Sequence, residues 1–396
     1  MWRAIASNAL TLFIVVLVAL AVGLGWARMA FEAPGPLAQA ICLRVDRGDR
    51  IGEVSARLEA AGAVSHPWLF RVGADYTGKS GDLRFGSYLV PPGSSMEAIL
   101  GIITRGGQST CGSEINLRIG VVAAETVVRT LDPVAGAYVE AMRFEAGAPA
   151  PEGYGAIRAE DGVRLRVTLA EGVTSWQVVE GLKAADFLAG EVAAVPPEGS
   201  LAPDSYEVPE GTERAAVLQM MADRQARIIA ELWANRAEGL PYATPEEALI
   251  MASIVEKETG LAAERPMVAG VFVNRMRAGM PLQTDPTIIY GITRGDMSQR
   301  REIRQSDKEG ATEARLHGKV EYNTYVINGL PPGPIANPGR ASLEAALNPA
   351  TTDAIFFVAD GTGGHLFAAT LEEHNRNVAA WRKIEAERAK GAQTQP

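Results

Sequence analysis

The sequence predicts an α+β protein built in parts: one apolar helix, a small α/β module, and a larger domain mixing helices with a few strands. Three observations lead there. No charged residue occurs from Ala4 to Ala27. Strand-like and helix-like periodicities then alternate between Ile41 and Gly106. From Thr244 onward, capped helical runs are separated by loops rich in Pro, Gly and Tyr.

The stretch Ala9 to Trp26 is nearly all Leu, Val, Ala, Ile and Phe, and about twenty such residues cross a bilayer as a helix. Residues 9–27 are therefore expected in the inner membrane. Arg3 would lie on the cytoplasmic side, Trp26 would anchor at the interface, and the remainder would be periplasmic. A cleaved signal peptide is the competing reading, because Ala19-Leu20-Ala21 offers a cleavage site. Residues 1–33 are assigned to the anchor and its linker. A chain of 396 residues with a net charge of -9 and no long Lys/Arg block lacks the basic surface that nucleic acid requires. Cys42 and Cys111 both fall in the exported part, either bonded to each other or free.

In residues 34–106, Ile41 to Val45 reads as a strand, and Ile51, Val54 and Leu58 recur at helical spacing up to Gly62. A second helix carries Trp68, Leu69, Phe70 and Val72, and Phe85 to Val90 is a second strand before Pro91-Pro92-Gly93. Met96, Ile99, Leu100 and Ile103 mark a last amphipathic helix. This order resembles a LysM-like glycan-binding module; a plain packing domain is the alternative. Residues 107–160, rich in Gly, Ala and Pro, are expected to be an irregular insert. Residues 161–385 form the largest domain. It opens with a strand from Leu165 to Leu169, a helix capped by Thr174, and a long helix from Ala215 to Ala237. Residues 386–396 are expected to be a frayed polar tail.

Thr244-Pro245-Glu246-Glu247 is a strong helix start, with Thr244 as N-cap, Pro245 at the first position and Glu247 completing a capping box. The helix should run to Thr259 and stop at Gly260. At about 100° per residue, Glu258 extends the stripe of Met251, Ile254 and Val255, while Glu256 lies with Leu249, Ala252 and Ser253. A carboxyl continuing an apolar stripe loses hydration, which raises its pKa and lets it hold a proton near neutrality. That is what a general acid for a glycosidic oxygen needs. The competing reading is an exposed or Arg-paired carboxyl at a fraying helix end. Downstream, Asn274 and Arg275 sit on a second helix closed by Gly279. The loops Leu282 to Thr287, Tyr322 to Tyr325 and Gly329 to Pro334 display Gln283, Asp285, Tyr322, Asn323 and Tyr325. Rigid loops bearing aromatics, amides and carboxylates suit a sugar cleft.

Met251 to Thr259, Val271 to Arg275, Leu282 to Thr287, Tyr290-Gly291 and Tyr322 to Tyr325 together resemble, in order, the YceG-like endolytic murein transglycosylase family (MltG). Gly329 to Gly333, Phe357 to Gly361, Gly363 to His365, Phe367 and His374-Asn375 continue the likeness. The resemblance is close from Thr244 to Trp381 and looser from Arg166 to Tyr206. It implies a lyase with an open groove that cuts peptidoglycan between N-acetylmuramic acid and N-acetylglucosamine, leaving a 1,6-anhydro end. It implies Glu258 as the catalytic acid and then base, with Gln283, Asp285, Tyr322, Asn323 and Tyr325 as cleft residues. Glu256 and Asn274 would support the site, and no cofactor would be required. Ser205 stands where Thr is usual before Tyr206, and the stretches Gly107 to Asp161 and Arg294 to Lys319 also depart from the pattern. Expected partners are peptidoglycan glycan strands and membrane-bound peptidoglycan synthases.

Two rivals come from other classes. A metal site would draw on the four histidines, His66, His317, His365 and His374, but no H-E-x-x-H helix or C-x-x-C spacing is present. No G-x-S-x-G elbow supports a serine nucleophile. The second rival is a non-catalytic, membrane-anchored scaffold that binds peptidoglycan and recruits wall synthases.

Overall fold

The structure is a computed structural model describing residues 2–46, 48–105, 111–132, 137–160, 163–299, 301–309 and 319–393. His317 and parts of the 107–160 and 294–319 stretches lie outside these residues. The chain divides into two compact units. One holds Met1–Ile115, Val127–Arg143 and Ala150–Arg164; the other holds Asn116–Thr126, Phe144–Pro149 and Leu165–Pro396.

In the first unit, helix α1 (Trp2–Glu32) includes a stretch, Thr11–Glu32, long and apolar enough to cross a membrane. Strand β1 (Ile41–Val45), helices α2 (Ile51–Ala60) and α3 (Pro67–Tyr76), strand β2 (Gly86–Val90) and helix α4 (Met96–Thr104) follow in the expected order. β1 and β2 pair antiparallel, Ile41 opposite Val90 and Val45 opposite Gly86. The helices bury Val54, Leu58, Phe70, Ile99 and Ile103 against this two-stranded sheet, and Phe31 from the end of α1 enters the same core. Each such side chain contributes roughly 1.5–3 kcal/mol by leaving water. Ser95 caps α4, its hydroxyl accepting from the Ala98 amide at 3.1 Å. Cys42 and Cys111 form a disulfide with a Cα–Cα distance of 5.5 Å, which resolves the choice the sequence left open.

The stretch 107–160 is not irregular. It carries strands β3 (Glu114–Ile119), β4 (Ala124–Asp132) and β5 (Ala137–Glu145) and the short helix α5 (Tyr154–Arg158). Its Gly and Pro residues punctuate the strand ends, whereas Ile115, Leu117, Ile119, Val127 and Val128 supply a fully buried strand interior. β6 (Arg164–Leu169) comes next, and then helix α6 (Ser175–Lys183), on which Thr174 and Gln177 complete a capping box. β7 (Leu188–Ala189), β8 (Ser205–Val208) and β9 (Thr212–Glu213) lead into the long helix α7 (Arg214–Ala234). Five strands form one sheet in the order β5-β4-β3-β6-β8. β6 and β8 are antiparallel within it, Leu165 opposite Val208.

The remainder of the second unit is mainly helical: α8 (Pro245–Glu258), α9 (Arg265–Arg277), α10 (Asp285–Thr293), α11 (Gln305–Lys308) and α12 (Arg340–Leu347). A hairpin of β10 (Phe356–Ala359) and β11 (His365–Ala368) precedes helix α13 (Leu371–Gln393). α8 lies at the centre, packed against α7, α9, α10 and α12. Both of its faces are covered: Ile250, Met251, Ala252, Ser253, Ile254 and Val255 are all buried. The two-faced helix read from the sequence is thus a core helix. α13 continues through the segment expected to fray, as far as Gln393. That segment is rich in Ala, Glu, Lys and Arg, which favour helix without a packed face.

Candidate active site

The start of α8 follows its sequence with one change. Thr244 accepts from the Glu247 amide at 3.3 Å, but the Glu247 carboxylate takes the Ala243 amide at 2.6 Å, so the capping box is displaced by one residue. The end differs more. Gly260 does not stop the helix in a left-handed turn; the chain leaves α8 at Thr259, which is extended at φ -138°. The Thr259 hydroxyl accepts from the Leu261 amide at 3.1 Å and donates to Glu264 at 3.3 Å. A side-chain turn replaces the glycine, and Glu258 becomes the last helical residue.

Glu258 is partly buried, and the Thr284 hydroxyl donates a hydrogen bond to its carboxylate. Thr284 occupies the N-cap position of α10, yet its side chain makes no cap bond. The hydroxyl that would serve the helix is turned to the acid instead. A buried set of threonines holds it there. The Thr324 hydroxyl accepts from the Thr284 amide at 3.0 Å, and Thr287 and Thr324 share a hydrogen bond of 2.9 Å. Gln283, just before, sits at φ +55° with its amide donating to the Thr324 carbonyl at 2.9 Å. A non-glycine residue in that region costs of the order of 1–3 kcal/mol and persists only when its neighbours hold it. Arg275 helps to do so, binding the Leu282 carbonyl at 2.6 Å and the Ile355 carbonyl at 2.7 Å.

Burial pushes the Glu258 carboxyl above the usual carboxylate range. The Thr284 hydrogen bond opposes this, the Asp285 charge adds to it, and His365 and Arg275 work against it. Asp285 accepts from the Tyr325 hydroxyl at 2.6 Å and pairs with Lys308 at 2.9 Å. Burial, and then the bond to Asp285, push the Tyr325 phenol up, so it remains a donor. Burial lowers Arg275. Glu264 receives the His365 amide at 2.9 Å and faces its Nδ1 at 2.8 Å. Burial raises Glu264, but these bonds outweigh it and its carboxyl lies below its ordinary value.

The residues singled out in the sequence divide into three groups. Glu258, Asp285 and Tyr325 gather around Thr284 and α10, with Gln283 exposed beside them. Tyr322 and Asn323 are buried and build the loop. Asn323 donates to the Asp307 carbonyl at 2.8 Å and accepts from the Tyr325 amide at 3.1 Å, while Tyr322 packs on Tyr290 at 5.0 Å. Glu256 and Asn274 act on the scaffold. Glu256 accepts from the Gly339 amide at 3.0 Å and pairs with the buried Arg265 at 3.4 Å. Asn274 donates to the Thr352 and Ala354 carbonyls at 2.8 and 3.0 Å.

Sequence reasoning missed Thr284, Thr287 and Thr324 as a unit, and the Glu264–His365 pair. It also missed Glu198, a second partly buried acid, which accepts from the Ser175 amide at 2.8 Å. Burial pushes Glu198 up to about 7. No grouping of three potential metal ligands occurs among the described residues.

A carboxyl short of water and met by a hydroxyl rather than a paired cation has the chemistry of an acid–base site. The chain belongs to the YceG-like family, whose profile matches residues 43–380. A protein of Streptococcus pneumoniae serotype 2 named endolytic murein transglycosylase is 27% identical over 346 residues, 86% of this chain and 58% of the relative. The chain thus spans 58% of that relative's length. A protein of the same name from Bacillus subtilis is 42% identical over 128 residues, 32% of either chain. A crystal structure of a yceG-like protein from Listeria monocytogenes is similar with a TM-score of 0.42 at 22% identity, covering 85% of this chain and 98% of that one.

Proposed function

We propose that this protein is an endolytic peptidoglycan lytic transglycosylase with Glu258 as its single acid and base. The carrying observation is that burial favours the protonated form of Glu258 while the Thr284 hydroxyl steadies the ionised one. A group that must give up a proton and then take one back needs both. In the first step Glu258 protonates the oxygen joining N-acetylmuramic acid to N-acetylglucosamine, and the bond from that oxygen to the muramic C1 breaks. The muramic C6 hydroxyl then attacks C1, and its proton passes to the Glu258 carboxylate. A 1,6-anhydro ring closes, water is not consumed, and the acid is restored. One carboxyl serves both steps, so Asp285 is free to hold Tyr325 and Lys308.

The substrate in this reading is the nascent glycan strand, lying in an open groove beside α10 and the 322–325 loop, with Gln283 and Tyr325 at its wall. Cutting within such strands would terminate their elongation. Helix α1 would anchor the protein in the inner membrane with the rest periplasmic. The Cys42–Cys111 bond supports that compartment, since disulfides persist in oxidising surroundings. Residues 34–106 would act as a LysM-like holder for the strand, close to membrane-bound synthases.

The full-length protein in detergent, incubated with isolated murein, should release fragments ending in anhydromuramic acid. Products with reducing ends would instead indicate a hydrolase, and no release from well-folded protein would favour the scaffold.

A further inference from the structure

We infer that the small module of the first unit rests on the lipid bilayer, with Trp68 and the turn before α3 at the level of the headgroups. The inference rests on reading α1 as membrane-spanning. The sequence is uncharged from Ala4 to Ala27, so Trp26 falls at the far edge of the apolar span, next to Arg28. Interfaces favour tryptophan because its ring is apolar and its N–H is polar.

Three contacts fix what stands at that level. The Trp26 ring stacks on Trp68 with centroids 6.3 Å apart, and His66 lies 5.6 Å from Trp26. One and a half turns further along α1, Phe31 is buried, packed so closely against Gly73 that a Cβ there would collide with its ring. Position 26 meets 68 and position 31 meets 73, so α3 runs alongside α1 in the same direction. No flexible linker intervenes, because the last turn of α1 is part of the module's core. Whatever depth Trp26 takes, Trp68 shares.

Trp68 is 46% exposed and Trp26 47%, a large apolar pair left open beside a helix already suited to lipid. Met29 and Val72 continue the open surface, at 68% and 54% exposed. Arg28 and Arg71 are exposed nearby, offering cations to lipid phosphates. The occupant is the headgroup layer of the bilayer that α1 crosses. Tyr76 provides an internal contrast. It is on the same helix and 91% exposed, but at 1.5 Å per residue it stands about 12 Å further from the membrane than Trp68.

The test uses full-length protein in vesicles of phosphatidylethanolamine and phosphatidylglycerol. Single nitroxide labels are placed through V18C, S65C and Y76C; the native cysteines are bonded to each other and take no label. Ser65 is exposed just before α3, and labelling it leaves the Trp26–Trp68 stack intact. The expected result is a label buried in the hydrocarbon at position 18 and open to a water-soluble nickel chelate at 76. At position 65, chelate access should be several-fold lower than at 76. Equal access at 65 and 76, with 18 still deep, overturns the inference and leaves the anchor standing. A water-exposed label at 18 overturns the anchor, and the inference with it.

Discussion

Glu256 and Glu258, separated by one residue at the end of α8, are shielded from water by opposite means. Glu256 is matched by donors: the Arg265 guanidinium and the Gly339 amide face its carboxylate, and Arg265 also reaches Glu171 at 3.0 Å. Among the described residues no cation is bound to Glu258; a hydroxyl meets it and burial favours its proton. The difference lies in where the chain turns. Glu256 points toward the start of α9 and the 339 loop, which bring donors. Glu258, at the last helical position, meets the N-cap of α10. One carboxyl is therefore tied into the fold by a cation and an amide, and in the other burial favours the protonated form.

The largest expected effect sharpens this contrast. Glu258→Gln should lower release of anhydro-ended fragments by about 10²–10⁴-fold, the usual span for losing a general acid. Its unfolding midpoint at pH 8 should not fall. A raised carboxyl pKa contributes stability below its ordinary value and loses it as pH rises through the folded value, so the amide removes a cost there. Glu256→Gln should do the reverse. Leaving Arg265 without its buried partner should cost about 3 kcal/mol in a urea titration, while activity per folded molecule stays within a few-fold. Equal loss of activity in both variants would break the contrast.

Glu198 extends it to a second partly buried acid with no proposed chemistry. Its carboxyl rises from 4.5 to about 7 in the folded protein. Its stabilisation is full below pH 4.5 and drains away as pH rises through about 7. Glu198→Gln should therefore gain up to about 3 kcal/mol at pH 8 and nothing at pH 4, read from paired denaturation curves. The smallest effect is Thr284→Val. It deletes the donor to Glu258 while leaving the backbone bonds of residue 284 in place. Activity should fall about tenfold, roughly 1.4 kcal/mol. The alkaline limb of the pH profile should move upward, because the ionised carboxylate has lost a hydrogen bond. An unmoved limb would detach Thr284 from the acid.

The helix bearing the acid was legible because its signals are local: Thr244-Pro245 begins it, and the stripe of Met251, Ile254 and Val255 leads to Glu258. Its burial on both faces was not, since a central helix takes its neighbours from α7, α9, α10 and α12. The Thr284 partner lies 26 residues from Glu258 and is chosen by how two loops meet. Threonine-rich turns occur in any protein, so nothing in the spelling of Thr284, Thr287 and Thr324 marks them. The strands of 107–160 were partly legible: Ile115, Leu117 and Ile119 alternate with Asn116 and Arg118, a strand signal that the Gly- and Pro-rich flanks of that stretch outweighed.

The Cys42–Cys111 bridge has a mechanical consequence. It closes a loop spanning 69 positions that contains α2, α3, β2 and α4. Tension applied between the apolar helix and the strands after Cys111 passes through the sulfur–sulfur bond and bypasses the module's peptide backbone. A pull on the far end would load that covalent shortcut, and the small domain inside the loop would keep its shape under strain.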